Sequence, residues 1–129
     1  MQPPKDAKVY DTPSSIFWFE DGILYSISKK VPPQTLEETI AAVEEFKKIT
    51  KGEKFCMLAD VTNSAETTKE VRDYAAVELP KLVKAVAMIS GSALGKMLAN
   101  LFFSLKSQPY PVKMFNDENE AKKWLKQYL

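Results

Sequence analysis

The stretch SIFWFEDGILYSIS, residues 15–28, holds two short apolar runs either side of Asp21-Gly22. An Asp-Gly pair between apolar segments is a strong type I′ hairpin signal, because both turn positions take positive φ. Pairing across this turn sets Glu20 opposite Ile23, Trp18 opposite Tyr25 and Ile16 opposite Ile27. Phe17 and Phe19 then share the other face with Leu24 and Ser26. Both faces are partly apolar, so the hairpin is expected to pack on two sides.

KKVPPQ breaks the chain, and TLEETIAAVEEFKKITKG follows. Thr35 with Glu38 fits a capping box. Leu36, Ile40, Val43 and Phe46 recur at helical spacing, late lysines suit the C-terminal dipole, and Gly52 supplies the stop. KFCMLADV is an unbroken apolar run, as expected for a strand covered on both faces. A second helix is expected from near Thr67 or Thr68, with Val71, Tyr74 and Ala75 inward and Pro80 ending or kinking it. KAVAMIS reads as a strand and SALGKMLANLFFSLK as a third helix. PVKMFN is the last strand. DENEAKKWLKQYL is the last helix, with Asp117 as cap and Ala121, Trp124, Leu125 and Tyr128 on one face.

The predicted order is β-β-α-β-α-β-α-β-α, an α/β fold with a mainly parallel sheet and an N-terminal hairpin. Residues 1–14 carry three prolines and no periodicity and read as a flexible arm. Residues 15–129 read as one domain.

Composition narrows the function classes. The chain has 129 residues, 45% apolar and 27% charged, with net charge +1. That balance argues against a nucleic-acid-binding face, which needs dense positive charge. The sequence has no histidine and one cysteine, Cys56. Ser-His-Asp and Cys-His catalysis, histidine metal sites and thiolate zinc sites within one chain are thereby excluded. Cys56 reads as a small buried hydrophobe. No apolar run approaches the roughly 20 residues of a membrane helix, and MQPPKDAK lacks an apolar signal core. A cytoplasmic location, with no cofactor, is expected.

SGSALGKM, residues 90–97, resembles a phosphate loop in context but not in spacing. Gly91 and Gly95 are separated by three residues rather than four, and Met97 stands where Ser or Thr should bind magnesium. Nucleotide hydrolysis is rejected. Ser90 and Ser92 could still hold an anion at a helix start, or Ser92 could simply cap the helix. Leu94, Leu98, Leu101, Phe102 and Leu105 form the core face of the third helix, with Met97 at its edge. Phe103 projects roughly opposite, near Ala99. That surface suits a dimer partner, another protein or an apolar ligand, unless the N-terminal arm covers it.

Within LADVTNSAETTKEV, Asp60 closes a strand, and Ser64, Thr67 and Thr68 precede a helix. Strand carboxyl ends gather ligands and switches in open parallel sheets. A phosphate on Thr67 or Thr68 would face free N–H groups. The structural alternative is that Asp60 accepts loop N–H groups and one threonine is the N-cap.

The element order, the strand ending in LAD and the hydroxyl-bearing helix start resemble a STAS-type domain, the fold of anti-sigma-factor antagonists. AVAMISGSALGKMLANLFFSL with YPVKMFNDENEAKKWL is similar to a group of small bacterial STAS-like proteins, over nearly the whole chain from residue 15. The resemblance implies a regulatory or scaffold role rather than catalysis. It also implies phosphorylation at the second helix start, here Thr67 or Thr68, although AETTKE replaces the family's Asp-Ser-Ser-Gly type of stretch.

Three readings follow. The first is a non-catalytic regulatory or protein-interaction module, dimeric through the third helix. The second is a carrier of a small apolar ligand or lipid, with a pocket beneath the third helix lined by Met97, Phe102 and the hairpin aromatics. The third is an enzyme using Asp60, Ser64 or Lys96.

Overall fold

The computed structural model describes residues 1–94, 96–97 and 109–129. Its strands are β1 (Tyr10–Asp11), β2 (Ser15–Glu20), β3 (Ile23–Ser28), β4 (Phe55–Asp60), β5 (Val83–Ile89) and β6 (Val112–Phe115). Its helices are α1 (Leu36–Thr50), α2 (Lys69–Leu82) and α3 (Glu118–Leu125), the last followed by a 3₁₀ turn, Lys126–Tyr128. The strands form one six-stranded sheet in chain order. β1, β2 and β3 pair antiparallel; β3 to β6 pair parallel.

The hairpin folds in the register its turn dictates, with Trp18 opposite Tyr25 and Glu20 opposite Ile23. Asp21 and Gly22 sit at φ 53° and 80°, the left-handed pair of a type I′ turn. Its two faces serve two cores. Phe17 and Leu24 join the face covered by α1 and α2, whereas Trp18, Ile23 and Tyr25 join the face covered by α3.

The sequence reading placed no element in residues 1–14; Tyr10–Asp11 in fact extend the sheet as β1. Tyr10 stacks on Phe17 with ring centroids 4.9 Å apart, and Met1 and Ala7 pack against the α3-side core. A two-residue edge strand is too short to leave a periodic signal, so its pairing rests on the aromatic stack and the partner edge.

α1 starts at the expected capping box, with Thr35 Oγ1 accepting from Glu38 N and Glu38 Oε1 accepting from Thr35 N, both at 3.1 Å. Its buried stripe is rotated from the expected one. Thr39 and Val43 are buried, while Ile40 is 38% exposed. Two contacts set that rotation. Phe46 meets Phe17 and Phe55 edge-on, and the Thr39 hydroxyl is satisfied by Gln34 Oε1 and Thr35 O. Pro80 does not end α2, which runs two residues further to Leu82 and feeds directly into β5.

Asp117 caps α3 through a 2.8 Å bond from Glu120 N. Ala121 and Leu125 are fully buried against Ala85, Ala87, Cys56 and Leu58. The small strand residues let the helix approach closely, and Lys122 Nζ lies 5.4 Å above the Tyr25 ring. Residues 93–94 and 96–97 are helical, as expected of the third predicted helix. Its remainder, including Ala99, Phe102 and Phe103, lies outside the described residues.

Candidate functional site

β4 and β5 end side by side, and their following loops are stitched together. Asp60 Oδ1 accepts from Thr62 N at 3.0 Å and from Thr62 Oγ1 at 2.6 Å. Thr62 Oγ1 in turn accepts from Gly91 N at 2.8 Å. Ser92 Oγ donates to Thr62 O at 2.9 Å. Ser90 Oγ donates to Ser92 O at 2.8 Å and accepts from Ser92 N at 3.1 Å. Asp60, Ser90 and Ser92 thus form one circuit whose hub, Thr62, was not singled out as a site residue from the sequence. The signal was present: an Asp two residues before a threonine makes the Asx turn seen here. These bonds tie the loop after β4 to the loop after β5 and hold two strand ends together.

Thr68 is the N-cap of α2, its Oγ1 accepting from Val71 N at 3.4 Å. Its side chain is exposed. Thr67 is half-buried, and its carbonyl accepts a bond from Arg72 Nη1. Ser64 and Thr67 share a different fate from Asp60: both line a cavity between α1, α2 and the sheet.

That cavity measures about 340 Å³. It follows from one row of paired residues across the sheet: Phe17, Ser26, Ala59 and Met88. The two middle members are small, and α1 and α2 bring Ala42 and Ala75 opposite them. Among the described residues, no side chain fills the gap. Met57 and Ala59 remain half-buried although β4 is central in the sheet, so the space communicates with solvent. Strands β3 and β4 are parallel, so their carboxyl ends share one edge. There the lining is polar, with Ser28, Lys29, Gln34, Ser64 and Thr67. Away from that edge it is apolar, with Val43, Phe46, Leu79 and Val86. Of the residues expected to line a pocket beneath the third helix, Phe102 lies outside the described residues. Among the hairpin aromatics only Phe17 lines the described cavity, and Met97 is 58% exposed and outside the lining.

At the apolar end Glu78 ties α1 to α2. Its carboxylate receives Lys47 Nζ at 3.2 Å and Lys81 Nζ at 3.1 Å. Hydrogen bonds from Lys81 and then Lys47 hold the Glu78 carboxyl below its usual range. Its folded pKa is therefore lower than its unfolded one. The stabilisation is fully present above the unfolded value, near ~4.3, and is lost as pH falls through the folded value. Glu78→Gln is expected to melt lower than wild type near neutrality, with the gap closing as the buffer is acidified. A gap independent of pH in thermal melts would contradict the clamp.

Other reactive groups are buried for packing. Cys56 is fully buried, and burial pushes its thiol pKa up, which disfavours the thiolate. Burial likewise raises Tyr110 to about 12. No helix among the described residues is long and apolar enough to cross a membrane.

A parallel sheet opened by a hairpin, helices on both faces and a seam at the strand ends define a SpoIIAA-like, that is STAS-like, α/β domain. A solved structure supports this assignment: a protein from the DUF3478 family with a SpoIIAA-like fold, from Shewanella loihica PV-4. It is 18% identical, with TM-score 0.56 over 97% of this chain and 98% of that one. The family model described as "Domain of unknown function (DUF7793)" matches residues 17–129, and the chain belongs to that family. A second solved structure, a protein with unknown function from Arthrobacter sp. FB24, is 26% identical over 82% of this chain and 93% of that one, with TM-score 0.32. Comparison with curated proteins gives no match.

Proposed function

We propose that the chain is a non-catalytic binding module that holds a small apolar molecule between its helices and its sheet. The 340 Å³ cavity carries this reading. It falls within the roughly 300–1,000 Å³ of small-molecule sites, which are mostly apolar with a few polar groups. Catalysis finds less support, because Asp60 is engaged by Thr62 and Lys96 Nζ lies 3.5 Å from Asn116 Oδ1. Native mass spectrometry of freshly purified protein is expected to show a co-purifying small organic mass that is lost on denaturation and refolding. Ligand-free protein alone, together with no binding of an anilinonaphthalene sulfonate probe, would overturn the reading.

A regulatory module is the second reading, favoured by one observation: Thr68 is exposed at the start of a 14-residue helix. A phosphate there would face the free N–H groups of the first turn, with Glu66 and Glu70 opposing it. Phosphosite mapping on protein from its own cells decides it, with label on Thr68 expected and none on Ser64.

A further inference from the structure

The cavity is polarised in a way that specifies its ligand. Three hydroxyls that line it, those of Ser26, Ser64 and Thr67, make no hydrogen bond among the described residues, in contrast to the lining hydroxyls of Thr12, Ser28 and Thr39. All three sit toward the carboxyl edge of the parallel strands: Ser26 in β3, Ser64 and Thr67 in the loop after β4. All three are half-buried, so in the open cavity they face water that a ligand could displace.

Among the described residues, the charged side chains in the lining are Lys29 and Glu78. Glu78 is neutralised by two lysines at the apolar end. Lys29 stands at the polar edge, bonded to the Asp11 carboxylate and, at 2.7 Å, to Thr12 O. An ammonium has three donors, so one remains. The polar edge therefore offers spare donors around a Lys29–Asp11 ion pair.

The geometry points to a medium-chain monocarboxylate as the ligand, its head bonded by Ser26, Ser64 and Thr67 beside Lys29 and its chain running between α1 and α2 toward Phe46 and Leu79. This rests on the binding reading above and adds the head group and the length. A carboxylate is acceptor-only with about four lone-pair sites, which suits a ring of spare donors. The length follows from volume. The cavity is about twice the ~150 Å³ that accepts one benzene, room for roughly ten to twelve carbons.

Calorimetric titration near neutral pH with sodium decanoate, decan-1-ol and sodium hexadecanoate tests this. Decanoate is expected to bind about ten-fold or more tighter than decanol, the ratio that a hydrogen bond to a charged group supplies. Hexadecanoate should bind more weakly than decanoate, because its chain overruns the space. The combined variant Ser26→Ala, Ser64→Ala and Thr67→Val should lose the preference for decanoate and keep its affinity for decanol. Retained decanol binding also shows that the variant is folded; where it is lost, Ser26→Ala alone is used and should narrow the ratio. Equal affinities for decanoate and decanol in wild type, or a preference that survives the substitutions, would overturn the head-group assignment and leave the binding reading standing. Failure of all three probes to bind would remove both.

Discussion

Ala59→Phe is expected to block ligand binding without unfolding the protein, whereas Ala87→Phe is expected to unfold it in part. Both alanines lie on central strands of one sheet, one register position apart, so they face opposite sides of it. Ala59 is half-buried and lines the 340 Å³ cavity. A ring there occupies empty space and gains contacts with Phe17 and Met88, so unfolding free energy should change by less than about 1 kcal/mol, or rise. Probe affinity should fall below detection, since the ring takes up much of the available volume. Ala87 is fully buried in the cluster that holds Ala121 and Leu125. A ring there must push α3 off the sheet, at about 3 kcal/mol or more. Denaturant titration and probe binding on the two variants give the four values needed. Unchanged binding by Ala59→Phe would remove the cavity as the site. A fully stable Ala87→Phe would show that α3 does not pack as described.

The same contrast shows what the sequence could reveal. The hairpin was readable because Asp21-Gly22 fixes a turn type and the turn type fixes register. α3 was readable because its cap and its four apolar positions agree. The cavity was not readable, because it depends on how far α1 and α2 stand from the sheet, and periodicity reports which residues face inward but not the gap they leave. A trace existed: Ser26 and Ser28 stand on the helix-facing side of β3, where a covered sheet ordinarily places apolar residues. The rotation of α1 misled in the same way. Thr39 counts as polar in any pattern, yet Gln34 and the Thr35 carbonyl satisfy its hydroxyl and allow it inside. The seam was half-read: Asp60, Ser90 and Ser92 were singled out as site residues, but the hub that joins them is Thr62, in the loop after β4.

Trp18→Ala is expected to lower unfolding free energy by about 3–5 kcal/mol, a large part of the ~5–15 kcal/mol that holds a domain of this size. Trp18 is 1% exposed, stacks on Tyr25 at 5.3 Å and anchors the hairpin on the α3-side core. Truncation loses the stack and leaves a cavity of indole size. Trp18→Phe should be much milder. Trp18 Nε1 is buried with no partner among the described residues, so the indole already carries the penalty of an unpaired donor, about 1–3 kcal/mol. Phenylalanine removes that donor while keeping a ring against Tyr25, and the recovered penalty offsets part of the lost volume. Denaturant titration of both variants separates the two contributions. If Trp18→Phe proves as destabilising as Trp18→Ala, the indole N–H is satisfied in solution and the stack contributes little. If it is mild, the hairpin is held on this face by ring burial alone, leaving the opposite face free to carry the open cavity.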